Sequence, residues 1–405
     1  MESTTQPLLN RLDGRCVLQV IPALDAGGAE RTVVEVAQAV ISAGGRALVA
    51  SEGGRLVEQL RTVGGEHVMI PLASKNPITM LANAKRIGAL IAIERVDIVD
   101  ARSRAPAWSA YIATRRTGAA LVTTHHGAYS EGIPGKRLYN SIMTRGDLVI
   151  ANSAFTATEI ARRRPGAADR MRVIPRGADL GLFDPAAVET DRIRRVEQSW
   201  GLGERSAPER GKRILLPARL TPWKGQRVAI AAFHEARSKA PDAMAGATLI
   251  LAGDSQGRDR YVEELTDAIR SFGLVADVLM VGHCDDMPAA YAAVDLAIAP
   301  SMRAEAFGRT VVEAGAMGLP VIASDCGGYR ESVVDGETGF LVPPGDIGSL
   351  SDAIARVCAM LPDERSRLGA SGMVNARQNF SIESMARATI AAYWDLASGH
   401  PSRDR

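Results

Sequence analysis

Two carboxylates eight positions apart, Glu305 and Glu313, lie in the run Pro300-Ser301-Met302-Arg303-Ala304-Glu305-Ala306-Phe307-Gly308-Arg309-Thr310-Val311-Val312-Glu313-Ala314. An apolar run, Ala293 to Ala299, precedes them, and a helix-like stretch, Arg309 to Met317, follows. The pattern reads as a strand, a tight turn at Phe307-Gly308 and a helix N-terminus. The first turn of a helix carries unpaired N–H groups and the positive end of the dipole, so it suits an anion. The two carboxylates would flank a bound phosphate, one before the helix and one about a turn into it. A sugar nucleotide, with hydroxyl-rich groups on both sides of its diphosphate, has the matching shape. Glu313 has an ordinary explanation, an acid favoured in a first helical turn. Glu305 has none.

Cations occur where such an anion would need them. Arg219 and Lys224 fall in Leu216-Pro217-Ala218-Arg219-Leu220-Thr221-Pro222-Trp223-Lys224-Gly225-Gln226, just after a β-branched run. Lys224 sits at a predicted helix N-terminus, where the dipole disfavours a cation, and a bound anion would remove that conflict. The bland reading of the pair is surface charge. Gly27-Gly28, in Pro22-Ala23-Leu24-Asp25-Ala26-Gly27-Gly28-Ala29-Glu30-Arg31, would let a backbone approach a phosphate closely, or would simply be a strand-to-helix turn. Neither a GxGxxG fingerprint nor a P-loop is present. In Thr123-Thr124-His125-His126-Gly127 a histidine at a strand end could hydrogen-bond a sugar hydroxyl or carry a proton. Adjacent residues of a strand point to opposite sides, so one ring faces the site, and loop histidines without a role are the alternative. The i, i+4 histidine spacing of a zinc helix is absent. Gly253-Asp254, Gly282, Gly327-Gly328-Tyr329-Arg330-Glu331 and Asp335-Gly336-Glu337-Thr338-Gly339 mark further strand ends or turns, which turn chemistry alone also explains.

Short strands alternating with helices must position these residues. Strands are predicted near Val17–Ile21, Ala47–Ala50, His67–Ile70, Ile98–Asp100, Ala120–Thr123, Leu148–Ala151 and Arg172–Ile174. Arg213–Leu216, Thr248–Ala252, Val278–Val281, Leu296–Ala299 and Pro320–Ala323 repeat the plan. Helical patterns cover Glu30–Ala43, Ile78–Ile93, Pro106–Arg115, Ala154–Arg163 and Asp191–Trp200. Alternation of this kind gives parallel sheets covered on both faces, here an α/β chain of two doubly wound, Rossmann-like domains with ligands beyond the carboxyl ends of the strands, in a cleft between the domains. The charged segment Pro185 to Lys212 is the expected boundary, with domains at 1–190 and 191–380. A last helix, 381–397, is expected to pack back on the first domain, and the tail Ser398–Arg405 to fray.

The chain has 405 residues, enough for two domains, and 46% of them are hydrophobic but only 4% aromatic, so Ala, Val, Leu and Ile must build the cores. A net charge of +2 makes no overall case for nucleic acid. Residues 1–200 carry 26 Lys/Arg against 20 Asp/Glu, a basic half suited to an anionic membrane surface or an acidic acceptor. The four dispersed cysteines, Cys16, Cys284, Cys326 and Cys358, fit reduced thiols in a cytoplasm. The polar start has no signal-peptide design, and no apolar run reaches the roughly 18–20 residues that span a bilayer, so any membrane contact is expected to be peripheral.

Taken in order, these motifs resemble family 4 of the retaining glycosyltransferases, enzymes of the GT-B fold. Glu305–Glu313 is the most specific part, joined by Gly27-Gly28, His126-Gly127, Val173-Ile174-Pro175-Arg176-Gly177-Ala178-Asp179, Arg219 and Lys224-Gly225. The resemblance implies that Arg219 and Lys224 hold the donor diphosphate and that Glu313 takes the ribose hydroxyls. Glu305, with Ala306, Phe307 and Gly308, would hold the donor sugar, with Gly253 and Thr310 also in the donor site. His126 would lie near the transferred sugar, and Gly27 and Gly28 would close over the phosphates. His126, Arg219, Lys224 and Glu305 are then the catalytic candidates. Arg176 departs from the asparagine frequent in the family. Together with Phe183-Asp184-Pro185 and Leu216–Gln226 it most resembles a subgroup that builds the lipopolysaccharide core in Gram-negative bacteria, where GDP-mannose is a common donor.

The first domain would then bind the acceptor, a glycan or a lipid-linked glycan, and the second the nucleotide sugar, which is a substrate. No cofactor and no metal are implied, and the chain has no Asp-x-Asp motif. The enzyme would work in the cytoplasm, at or near an anionic inner membrane, without a nucleic-acid partner. The remaining alternatives are a sugar-nucleotide 2-epimerase of the same fold, which needs catalytic carboxylates in both domains, and a non-catalytic relative. Such a relative would be expected to lose Arg219, Lys224 or the Glu pair first, and all four are present.

Overall fold

A computed structural model describes residues 11–399 apart from residues 26, 128, 130, 133 and 204–210. The polar start, most of the charged stretch that ends the expected boundary, and the tail from residue 400 lie outside the described residues. The chain divides after Arg176 and again after Ser381 into two compact units.

The first unit is built on β1 (Cys16–Val20), β2 (Arg46–Ser51), β3 (Glu66–Met69), β4 (Ile98–Ala101), β5 (Ala120–His125), β6 (Leu148–Ala151) and β7 (Met171–Val173), in the order β3-β2-β1-β4-β5-β6-β7. Every pairing is parallel. Strands β1, β4, β5 and β6 are buried at every position, as parallel strands covered on both faces must be. The outer strands β3 and β7 are more exposed. The second unit holds β8 (Arg213–Pro217), β9 (Thr248–Ala252), β10 (Val278–Gly282), β11 (Leu296–Ala299), β12 (Val321–Ser324) and β13 (Gly339–Val342), again all parallel, in the order β10-β9-β8-β11-β12-β13. Two doubly wound, Rossmann-like units are the architecture of GT-B proteins. Strand β13 has no counterpart in the sequence reading. It is four residues long, begins at a glycine and lies at the sheet edge, so turn signals mask it.

The boundary lies earlier than the composition suggests. Residues 177–190 belong to the second unit, not the first. Ala178 donates its N–H to Phe380 O (2.7 Å) and bridges Ser381, and Phe183 is buried edge-on to Tyr291 at 6.0 Å. A few apolar anchors inside a polar stretch decide the division.

The last helix, Ile382–Gly399, belongs to the first unit and runs on through Ser398 and Gly399, where fraying was expected. Met385, Ile390 and Tyr393 join Val33, Ala37 and Val40 of the helix Gly28–Ser42 in one core. The Tyr393 hydroxyl donates to Asp100 Oδ2 (2.6 Å), Thr124 Oγ1 to Asp100 Oδ1 (2.8 Å), and Arg102 Nε lies 2.8 Å from Asp100 Oδ2. All four residues are buried. Tyr393→Phe leaves a buried carboxylate one donor short, and is expected to lower the stability of the first unit by about 1–3 kcal/mol, read as a shifted urea midpoint with an unchanged slope.

Candidate functional site

In the second sheet the chain winds outward from β8 through β9 to β10, then returns to lay β11 on the other side of β8. The crevice beyond the carboxyl ends of the strands at such a reversal is where open α/β sheets bind ligands. The segments that leave β8 and β11 carry Arg219, Lys224, Glu305 and Glu313.

Lys224 Nζ lies 2.5 Å from Glu305 Oε1, with both side chains mostly buried. The same carboxylate oxygen accepts from Ser301 Oγ (2.9 Å) and from the Tyr329 hydroxyl (3.3 Å). Burial and the adjacent Glu305 push the Tyr329 hydroxyl well above its ordinary range, so it stays protonated and donates. Glu305 is thus fixed by three donors. Lys224 ends the short 3-10 turn Pro222–Lys224, one residue before Gly225 caps the helix Gln226–Lys239. Its Nζ also lies 4.6 Å from the Trp223 ring centroid. The Glu305 carboxylate therefore offsets part of the dipole conflict expected for Lys224.

Gly308, at φ +85°, caps the helix Arg309–Ala316 and passes under Tyr329, where an added Cβ would lie 2.4 Å from the ring. This places Glu313 fifth in the helix rather than in its first turn. The dipole explanation offered for it therefore fails. Glu313 is buried, paired with Arg309 Nε (3.1 Å) and approached by the Tyr291 hydroxyl (3.5 Å). The Tyr291 hydroxyl also donates to the Thr310 carbonyl (3.1 Å). Phe307 turns its side chain into the core against Phe380, leaving Ala306, Phe307 and Gly308 to offer backbone to a ligand.

Arg219 is exposed at the same edge, and its guanidinium reaches Gln256 (3.5 Å). Gly253 gives its N–H to Gly282 O (2.7 Å), and a Cβ there would lie 2.0 Å from Ala218 O, so glycine is required by the crossing of two loops. Ser301, Tyr291 and Tyr329 are the positioning residues that the motifs did not reveal, although Tyr329 lay in a segment read as turn-rich.

The first sheet has the same reversal between β1 and β4. Gly27 caps the helix Gly28–Ser42 after β1, and Arg102 follows β4. The two histidines separate as strand geometry requires. His125 Nε2 donates to Met143 O (2.9 Å) and its ring tilts against Tyr129. His126 turns to Arg176, whose Nη2 lies 2.6 Å from His126 Nδ1. Burial lowers His125 from its ordinary 6.5 to about 4. In the unfolded chain this ring takes up its proton first as the pH falls. Its stabilising contribution is therefore full above about pH 6.5 and is lost towards pH 4, on the order of 3 kcal/mol in all. His125→Asn is expected to flatten that part of the stability–pH curve, measured by urea unfolding at stepped pH.

A family model for glycosyltransferase family 4 matches residues 26–182, and one for glycosyl transferases group 1 matches residues 211–360. The crystal structure of a glycosyltransferase from Rickettsia africae is 32% identical, superposes with a TM-score of 0.86, and is matched over 95% of this chain and 99% of its own. A D-inositol 3-phosphate glycosyltransferase of Salinispora tropica is 26% identical over 94% of this chain and 83% of its own length. The lipopolysaccharide core biosynthesis mannosyltransferase LpsB of Rhizobium meliloti is 39% identical over 36% of this chain and 42% of its own length.

Proposed function

The chain belongs to family 4 of the glycosyltransferases, and from that premise we propose that it transfers mannose from GDP-mannose to a glycan or lipid-linked acceptor, with retention of the anomeric configuration. The observation that carries this reading is the Lys224–Glu305 pair at the reversal of the second sheet, beside the Gly308-capped helix. Lys224 and Arg219 neutralise the leaving diphosphate, Glu305 holds the donor sugar, and Glu313 takes the ribose hydroxyls. Stabilising charge on the leaving group is the main catalytic contribution. The acceptor attacks the face from which the diphosphate departs, and the departing phosphate oxygen takes its proton. The step is read as independent of metal and cofactor, with Lys224, Arg219 and helix N–H groups supplying the positive charge.

The mannose assignment is supported by the likeness to LpsB, as is a place in lipopolysaccharide core or other surface-polysaccharide synthesis. Among the described residues no helix is long and apolar enough to cross a membrane. The basic charge of residues 1–200 supports peripheral contact with the anionic cytoplasmic face of an inner membrane.

A thermal-shift screen over GDP-, UDP- and ADP-sugars tests the donor. A ligand at about 100 times its Kd stabilises by about 2.7 kcal/mol, so GDP-mannose is expected to raise Tm by several degrees more than the others. A larger response to a UDP- or ADP-sugar overturns the mannose assignment, and a response to none overturns the donor site. NMR of the product's anomeric proton checks retention.

A further inference from the structure

Arg176 departs from the asparagine frequent in the family, and its Nη2 lies 2.6 Å from His126 Nδ1. A guanidinium carries only N–H donors and stays protonated. The nitrogen it meets at 2.6 Å, His126 Nδ1, must therefore be the acceptor. A neutral imidazole whose Nδ1 accepts carries its proton on Nε2. We propose that Arg176 is a positioning residue that holds His126 as the neutral Nε2–H tautomer, so that His126 offers the substrate a hydrogen-bond donor and does not act as a base.

The surroundings agree from every side. The charged groups facing the ring are Arg176 after β7 and Arg102 after β4, with His125 next to it on β5. Asp100, the carboxylate beside Arg102, is committed to Arg102, Thr124 and Tyr393. From the last helix, Met385 and Thr389 bring no charge. Burial and the two arginines hold the ring well below its ordinary titration range. Arg176 is itself placed by Gly28, where an added Cβ would stand 3.1 Å from its Nη1, and the Glu30 carboxylate folds back over Gly27.

His126 lines a small, mostly apolar cavity in which Thr32, Arg102, Asn152, Arg176 and Thr389 supply the polar groups. His126 Nε2 and both amide atoms of Asn152 are buried there without a hydrogen-bond partner among the described residues, and Asn152 is 2% exposed. Buried polar atoms of this kind need partners. A donor at Nε2 calls for an oxygen acceptor, a sugar hydroxyl or a phosphoryl oxygen. This part rests on the glycosyl-transfer reading, whereas the tautomer does not.

Long-range proton–nitrogen NMR on the full chain, labelled with ¹⁵N-histidine, reads the tautomer without any substrate. The His126 signals are identified by their loss in His126→Gln. His126 is expected to show one protonated nitrogen, Nε2, and no titration between about pH 5 and 8. In Arg176→Met the ring is expected to mix tautomers and to titrate at higher pH, and Arg176→Lys is expected to restore a single form. A wild-type ring that carries Nδ1–H, or that titrates in that window, overturns the proposal even if Arg176→Met does not fold. GDP release from GDP-mannose gives the second arm. His126→Gln keeps an N–H donor and no basic nitrogen, and is expected to exceed His126→Ala by at least tenfold. Equal losses in the two variants overturn the donor role. A chain inert towards every nucleotide sugar would instead refute the transferase reading, leaving the NMR result to decide the tautomer.

Discussion

Glu305→Gln is expected to lower turnover by roughly 10²- to 10³-fold while shifting Tm by only a few degrees. The substitution keeps the shape of the side chain and removes its charge. Lys224 then loses the carboxylate 2.5 Å away, and the Tyr329 and Ser301 hydroxyls lose a charged acceptor. Hydrogen bonds to a charged group are about twice as strong as neutral ones, so in the proposed role the amide would be held less firmly against the donor sugar. A loss of alignment falls on kcat more than on KM, because the geometry matters most in the transition state. The measurement is kcat and KM for the donor, with Tm as control. A variant with unchanged kcat and a much lower Tm would show that Glu305 merely holds the loop together.

Lys224→Ala is expected to cost about 10²-fold or more in kcat, the loss seen when one stabilising donor is removed from a developing charge. The same change strands Glu305 with two neutral donors. Lys224→Arg is expected to rescue little, since a planar fork cannot replace a compact ammonium in a site this enclosed. Because Lys224 and Glu305 act as one unit, the double variant should be far less impaired than the product of the two single losses. Strict additivity would mean that the two residues serve separate ends. A folded, fully active Lys224→Ala would remove Lys224 from the mechanism altogether.

Much of the fold is legible in the amino-acid sequence. The β-branched runs, the helical periods between them and the glycines at strand ends locate twelve of the thirteen strands among the described residues. They also put Lys224 and Glu305 after strands of the same domain. These are local signals, set by backbone propensity and by burial on both faces of a parallel strand. Strand β13 escaped because four edge residues opened by a glycine look like the turn before them. The boundary at Arg176 escaped because it depends on where Ala178 and Phe183 find partners, and Phe380, which binds the Ala178 N–H, lies far along the chain.

The amino-acid sequence by itself determined the two parallel α/β units and the residue types, charged ones included, at their strand ends. Only the tertiary structure decided what each charged group faces. Lys224 meets Glu305 across 81 positions, Tyr329 reaches Glu305 across 24, Arg176 reaches His126 across 50, and Tyr393 reaches Asp100 across 293. The sheet order makes these meetings, because it sets β11 beside β8 and brings the last helix onto the first sheet. No local pattern records that order. It also changed the readings of single residues. Glu313 passed from a first-turn acid to a buried partner of Arg309 and Tyr291, and Lys224 gained Glu305 as a partner.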